Sequence, residues 1–209
     1  MTQVIIEADT DIARGAAFLA TAEPRFALAL RATGPLPLRR RADGFAALRD
    51  AIIGQQVSVA SARAISARMQ AAGLAEEAAV AAASDEALRG CGLSRQKIRY
   101  LSGLARAGLD YPGLRQMPDA DVITHLTALP GIGRWTAEMY LMFALGRADV
   151  FAADDLALAE AARLLFELPD RPRPKPFTEM AQAWSPWRAV AARLLWAYYA
   201  KAKSREGVI

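Results

Sequence analysis

Apolar residues recur at intervals of three and four along most of the chain, Ala and Leu dominate, and β-branched runs are scarce. That periodicity belongs to amphipathic helices rather than strands. Phe45, Leu48 and Ile52, at i, i+3 and i+7, make one stripe of a helix ending near Gly54. The pattern predicts helices over 11–22, 24–32, 45–54, 58–71, 95–107, 119–128, 134–145 and 154–165, with short pieces at 76–83 and 85–89. Pro24 opens the second helix and Gly34 closes it, Ser58 caps the fourth, and Ser185-Pro186 supplies a cap and first-turn proline for a last helix to about 201. On that helix Trp187, Val190, Leu194 and Tyr198 share a stripe, while Trp196 lies about half a turn away. Pro35 and Pro37 open a connector through Arg41, and the Arg/Lys–Pro alternation over 171–176 reads as a stiff, extended one. No repeat and no composition break interrupts the chain, and the expected fold class is all-α.

Length and composition narrow the chemistry. The 209 residues, 54 % apolar and 23 % charged, suit one globular domain or two small ones sharing a core. No run of about 18 apolar residues offers a membrane span. The first residues, MTQVIIEADTD, carry acids where a signal peptide needs a basic segment and an apolar one, so a cytoplasmic location is expected. Cys91 is the one cysteine and His125 the one histidine, which excludes an internal disulfide, a Cys-rich zinc site, a four-cysteine iron–sulfur cluster and any two-histidine site. Cys91 reads as a small buried residue and His125 as an exposed or half-buried helix residue. Chemistry must come from carboxylates, aromatics, backbone and basic residues. The net charge is only +4, but Arg39, Arg40 and Arg41, then Arg95, Lys97 and Arg99, then Arg171, Arg173 and Lys175 form clusters. Each alone is a solvated face or loop; together with other features they point to an anionic partner.

The other features begin at Leu129-Pro-Gly131-Ile-Gly133-Arg134-Trp135-Thr136-Ala137. Two glycines around one apolar residue, between helices, make a turn whose amides open onto a helix start and attract an anion such as a backbone phosphate. Alone, the same stretch is equally a tight turn without a ligand. It is accompanied by Gly54-Gln-Gln-Val-Ser-Val-Ala60, Gly92-Leu-Ser-Arg-Gln-Lys-Ile98, Asp149-Val-Phe-Ala-Ala-Asp154-Asp155-Leu156 and Trp184-Ser-Pro-Trp-Arg188. This ordered set, spanning roughly 10 to 200, resembles the helix–hairpin–helix base-excision DNA glycosylases, and within them the 3-methyladenine DNA glycosylase II branch in a compact form without the N-terminal β-domain.

The resemblance implies a two-lobed helical fold with the active-site cleft between the lobes. Residues 45–150 would form the hairpin lobe, and 1–44 with 151–209 the other. It implies a monofunctional enzyme, a monomer, that excises alkylated purines of the 3-methyladenine and 7-methylguanine type from double-stranded DNA and associates with the nucleoid through DNA binding. Gly131, Gly133, Arg134 and Thr136 would bind phosphate, and Arg95 and Lys97 are further candidates for phosphate contacts. Carbonyls of Thr127, Leu129 and Ile132 would hold Na+ or K+ at the hairpin; no cofactor and no iron–sulfur cluster is expected for catalysis. Gln56 stands at the intercalating position of the wedge loop, filling the gap left by an extruded base.

Asp155 is the candidate catalytic residue: a fixed carboxylate beside C1′ stabilises an oxocarbenium-like sugar. Of the adjacent acids, Asp154 is expected as the helix N-cap and Asp155 at the first helical position, and the family motif also puts the catalytic aspartate second. An alkylated purine is cationic and already a good leaving group, so aromatic faces suffice to bind it. The family puts pocket aromatics at Trp135 and Trp196; Trp184 and Trp187 are expected in the core. Met139 and Leu156 stand where branch members carry tyrosines. Two alternatives remain. One is a non-catalytic DNA-gripping hairpin module. The other is a bifunctional glycosylase–lyase, against which Trp135 stands at the position of the lyase lysine.

Overall fold

Helices α1 (Asp9–Ala22) and α2 (Pro24–Thr33) open the computed structural model, which describes residues 3–206. α1 starts earlier than the periodicity predicts because Asp11 folds back, its Oδ2 accepting the amides of Glu7 and Ala8 at 3.0 and 3.1 Å. α2 ends at Gly34, whose φ of 74° suits glycine. Then come α3 (Phe45–Gly54), α4 (Val59–Ala71), α5 (Glu77–Ala82), α6 (Asp85–Gly90), α7 (Arg95–Arg106), α8 (Tyr111–Leu114), α9 (Asp119–Thr127) and α10 (Arg134–Tyr140). A π-helical turn (Leu141–Leu145), α11 (Leu156–Leu165), α12 (Pro174–Met180), a 3₁₀ turn (Ala181–Trp184) and α13 (Arg188–Glu206) complete the order. The fold is all-α; the only β feature among the described residues is an isolated bridge between Ile5 and Arg147.

The chain divides into two units: 41–140, and the residues up to Arg40 together with those from Leu141 on. The dividing lines therefore fall at 40/41 and 140/141, against the expected 44/45 and 150/151. The second crossing coincides with the change from α to π geometry inside the predicted 134–145 helix.

In the 41–140 unit, α3 packs against α4, α7 and α10, burying Phe45, Leu48, Ile52 and Ile53. Ser58 caps α4, its Oγ accepting the Ser61 amide at 3.1 Å. α7 answers α3 with Ile98, Leu101 and Leu104, and Cys91 is buried beside it in sequence. Close to where this unit begins and ends, the Tyr140 hydroxyl donates to Asp43, which also pairs with Arg115.

The other unit is organised around Trp184. Phe166 stacks on its ring at 5.9 Å, and Phe26, Phe151 and Phe177 meet it edge-on at 5.1 to 6.2 Å. α13 crosses α1, α2 and α11. It is not the one-sided stripe the sequence suggests: Ala189 through Leu195 are all buried. The alanines let neighbours approach closely, and at Gly15 of α1 a Cβ would lie 2.7 Å from Val190. Arg193 is buried within this helix, donating to the carbonyls of Ala189, Met142 and Leu38 with its guanidinium 4.7 Å from the Phe143 ring centre. Burial pushes its pKa down to about 10, so it stays charged at neutral pH.

Two connectors differ from expectation. The predicted extended 171–176 run turns helical at Pro174, because prolines in a first turn sacrifice only amides that have no helical partner anyway. Arg171 is held by Glu160 at 2.7 Å rather than standing in a basic patch. Ser185-Pro186, joined by a cis peptide, does not open α13, which starts at Arg188. Its first turn is bound instead by the preceding loop: the Ala189 amide donates to the Ala148 carbonyl at 2.9 Å, and Ser185 Oγ and Arg188 Nε donate to Asp149 at 2.8 and 2.7 Å.

Candidate active site

The Asp149 anchor fixes the loop that delivers the carboxylates. Ala152 and Asp155 close a turn through the Asp155 amide and the Ala152 carbonyl, 3.1 Å apart, and that turn takes up Asp154. The N-cap of α11 is therefore Asp155, not Asp154: its Oδ1 accepts the amides of Ala157 and Leu158 at 2.9 and 3.0 Å. Asp154 is exposed and Asp155 half-buried. The expected cap, Asp154, is thus replaced by Asp155.

The same Oδ1 accepts a third hydrogen bond, from Trp196 Nε1 at 3.3 Å. Trp196 is half-buried and rests on Phe143, with ring centres 5.9 Å apart and planes tilted by 33°. Phe143 is braced in turn by Arg193. Of the other candidates, Leu156 is 71 % exposed directly after Asp155, an unusual position for leucine at a helix start. Trp184 and Trp187 are core residues, as expected.

The 41–140 unit carries the remaining candidates. Trp135, 44 % exposed, and half-buried Met139 stand four residues apart on α10 and so share a face. Arg134 Nε is bound to the buried Glu138 carboxylate at 2.9 Å, and Thr136 is buried. The Arg134 side chain stays largely exposed while paired with Glu138, whereas Thr136 is covered. Gly131, with φ of 90°, lies so close to Tyr100 that a Cβ would overlap the ring. Nothing crowds Gly133, where a Cβ would meet open space.

Thr127, Leu129 and Ile132 line one shallow depression with the hairpin glycines. The Leu129 carbonyl accepts the Ile132 amide at 3.1 Å and retains a second lone pair. An all-oxygen donor set of that kind fits an alkali cation rather than a transition metal.

Gln56 is exposed at the tip of the α3–α4 turn with φ of 55°, a conformation that costs a non-glycine residue about 1 kcal/mol or more. Three residues that sequence reasoning missed or misread tie its turn, α7 and the hairpin together. Gln55 donates through Nε2 to the Gly131 carbonyl at 2.8 Å. Lys97, expected as a phosphate contact, is buried, and its Nζ donates to the Ile53 carbonyl at 2.6 Å. Tyr100 buttresses Gly131. Arg95 and Arg99 are exposed, as is His125.

Residues 50–188 match the family model described as HhH-GPD superfamily base excision DNA repair protein. DNA-3-methyladenine glycosylase 1 of Schizosaccharomyces pombe is 37 % identical over 118 residues, 53 % of this chain and 51 % of that protein; the chain thus spans about half the length of such curated relatives. Among solved structures, a Bacillus halodurans DNA-3-methyladenine glycosidase superposes with a TM-score of 0.80 at 31 % identity, over 99 % of this chain and 95 % of that one. A Schizosaccharomyces pombe 3-methyladenine DNA glycosylase in complex with abasic DNA gives 0.74 at 28 % identity, over 88 % and 95 %. With the Gly131–Gly133 hairpin, the α3–α4 turn and the capping Asp155 all inside the matched region, the chain belongs to the HhH-GPD superfamily of base excision DNA repair proteins.

Proposed function

We propose that the chain is a monofunctional DNA glycosylase that releases alkylated purines from duplex DNA. The observation that carries this reading is the Asp155 carboxylate. Two backbone amides and the Trp196 indole hold one of its oxygens, so the charge is fixed before any substrate arrives and needs little reorganisation during reaction. Capping α11 alone would be served equally by Ser, Thr or Asn, so the negative charge is what a purely DNA-gripping module has no use for.

The base leaves with the electrons of the C1′–N bond, and a cationic alkylpurine departs neutral. Asp155 stabilises the positive charge that develops on the sugar, water supplies the oxygen that bonds C1′, and its proton is lost to the carboxylate or solvent. The indole face of Trp196 suits a cationic base. Trp135 and Met139 share a face of α10 that offers ring and aliphatic surface, and Leu156 is exposed directly after Asp155, side chains that suit a base able to leave without strong acid assistance. The hairpin backbone grips phosphate, with Na+ or K+ held by the carbonyls of Thr127, Leu129 and Ile132 supplying positive charge there. In this reading no catalytic cofactor is needed and the chain acts as a monomer. Among the described residues no helix is long and apolar enough to cross a membrane, and the reading puts the protein in the cytoplasm with the nucleoid.

Lyase chemistry requires an amine that forms a Schiff base with C1′. Trp135 stands where the lyase members carry lysine, and Lys97 is committed to the Ile53 carbonyl. The test is incubation with methylated duplex DNA, with and without borohydride. Free 3-methyladenine or 7-methylguanine and an intact abasic strand are expected, with no trapped protein–DNA adduct. A stoichiometric adduct overturns the monofunctional reading, and no released base overturns the enzyme.

A further inference from the structure

Lys97 and Tyr100 lie three residues apart on α7, hence on one face. The first holds the root of the wedge turn through the Ile53 carbonyl, at the end of α3 where carbonyls lack helical partners. The second sits against Gly131 of the hairpin. Gln55, at the base of the same wedge turn, reaches across to the Gly131 carbonyl. The peptide after Gly131 is thereby fixed at both ends, since its Ile132 amide is bonded to the Leu129 carbonyl at 3.1 Å. Wedge turn, α7 and hairpin thus form a closed triangle with a contact on every side. Resting on the reading of the chain as a base-extruding glycosylase, we propose that Gln55 and Lys97 are positioning residues that lock the Gln56 wedge to the phosphate-gripping hairpin.

The physical need is plain. A side chain pushed into a base stack experiences an equal push back, and a loose turn would yield instead of the stack. The hairpin's grip on the backbone is a fixed point against which the wedge can work, so the two must not move independently. Sequestering an ammonium on a backbone carbonyl is costly, and burial pulls the Lys97 pKa below its ordinary value. A solvated lysine would have avoided that cost, and the acceptor this one meets is at the root of the wedge. Gln56 itself is strained and exposed, as a preformed tip should be.

The test separates wedge mechanics from general damage. Gln55→Glu keeps the shape and removes the donor; Gln56→Ala removes the wedge itself. Each is assayed in single turnover on duplex DNA with 7-methylguanine opposite cytosine, and on the same duplex with an abasic-site analogue opposite the lesion, where no pair must be broken. Both variants are expected to lose tenfold or more on the paired lesion and to stay within threefold of wild type on the unpaired one. Lys97→Met should give the same selectivity, with thermal denaturation run alongside; if it fails to fold, Gln55→Glu decides alone. Equal losses of Gln55→Glu on both duplexes, or no loss on either, overturn the proposal even where the wild type is fully active. A wild type that releases no base from either duplex overturns the functional reading and this inference together.

Discussion

At the scale of single residues, Asp155 caps α11, and in the proposed reading it also carries the catalytic charge, two jobs that sequence logic assigns to two aspartates. Asp155→Asn separates them. The amide oxygen of that variant would still accept the amides of Ala157 and Leu158, so the helix cap and the melting temperature should be kept. Loss of the negative charge should cut base release by about 100-fold or more. Asp154→Asn, at an exposed position, should release base at nearly the wild-type rate. Single-turnover assays of the two variants with matched melting curves check both statements, and a dead Asp154→Asn beside a live Asp155→Asn would reverse the assignment. The capping role of Asp155 was not legible in the sequence, which put the cap at Asp154. Two identical side chains in tandem carry no signal about which one the preceding turn will consume, and the Ala152–Asp155 hydrogen bond settles that.

At the scale of elements, the two hairpin glycines meet different structural demands. Gly131 is dictated by the fold: its φ is 90° and Tyr100 occupies the space of a Cβ. Gly131→Ala should destabilise the unit by about 1–3 kcal/mol and lower the melting temperature accordingly. Gly133 meets no such demand, since a Cβ there reaches open space. Gly133→Ala should therefore leave stability unchanged while weakening duplex binding, because the methyl would stand where a phosphate approaches. Equal affinity for wild type and Gly133→Ala would remove the backbone of this turn as a phosphate site. Periodicity and punctuation made most helices legible, as with Ser58 and α4. They failed where long-range contacts decide: Gln55 meets Gly131 across 76 positions, and Lys97 looks like any other basic surface residue until α3 packs on it. α13 misled for a related reason, since a one-sided stripe is what its large residues suggest while its alanines are covered too.

At the scale of the whole molecule, 26 basic residues against 22 acidic ones leave a small surplus, and ion pairs use several of the cations, as with Arg171 and Glu160 or Arg188 and Asp149. Arg39, Arg40, Arg95 and Arg99 remain exposed. Binding to undamaged duplex should rest on a few phosphate contacts. Its affinity should then fall roughly tenfold or more between about 50 and 200 mM salt, with a linear log–log slope. A salt-independent affinity, measured by titration of a labelled duplex, would refute that role for the hairpin and the exposed arginines. The two chain crossings have a consequence of their own. Tyr140 bonded to Asp43 holds the ends of the 41–140 stretch together, and Arg193 likewise holds the carbonyls of Leu38 and Met142 together. Topologically this is an insert whose two ends meet, within a host whose cut ends also meet. With both pairs of ends close, the termini of either unit could be relocated without opening its own core.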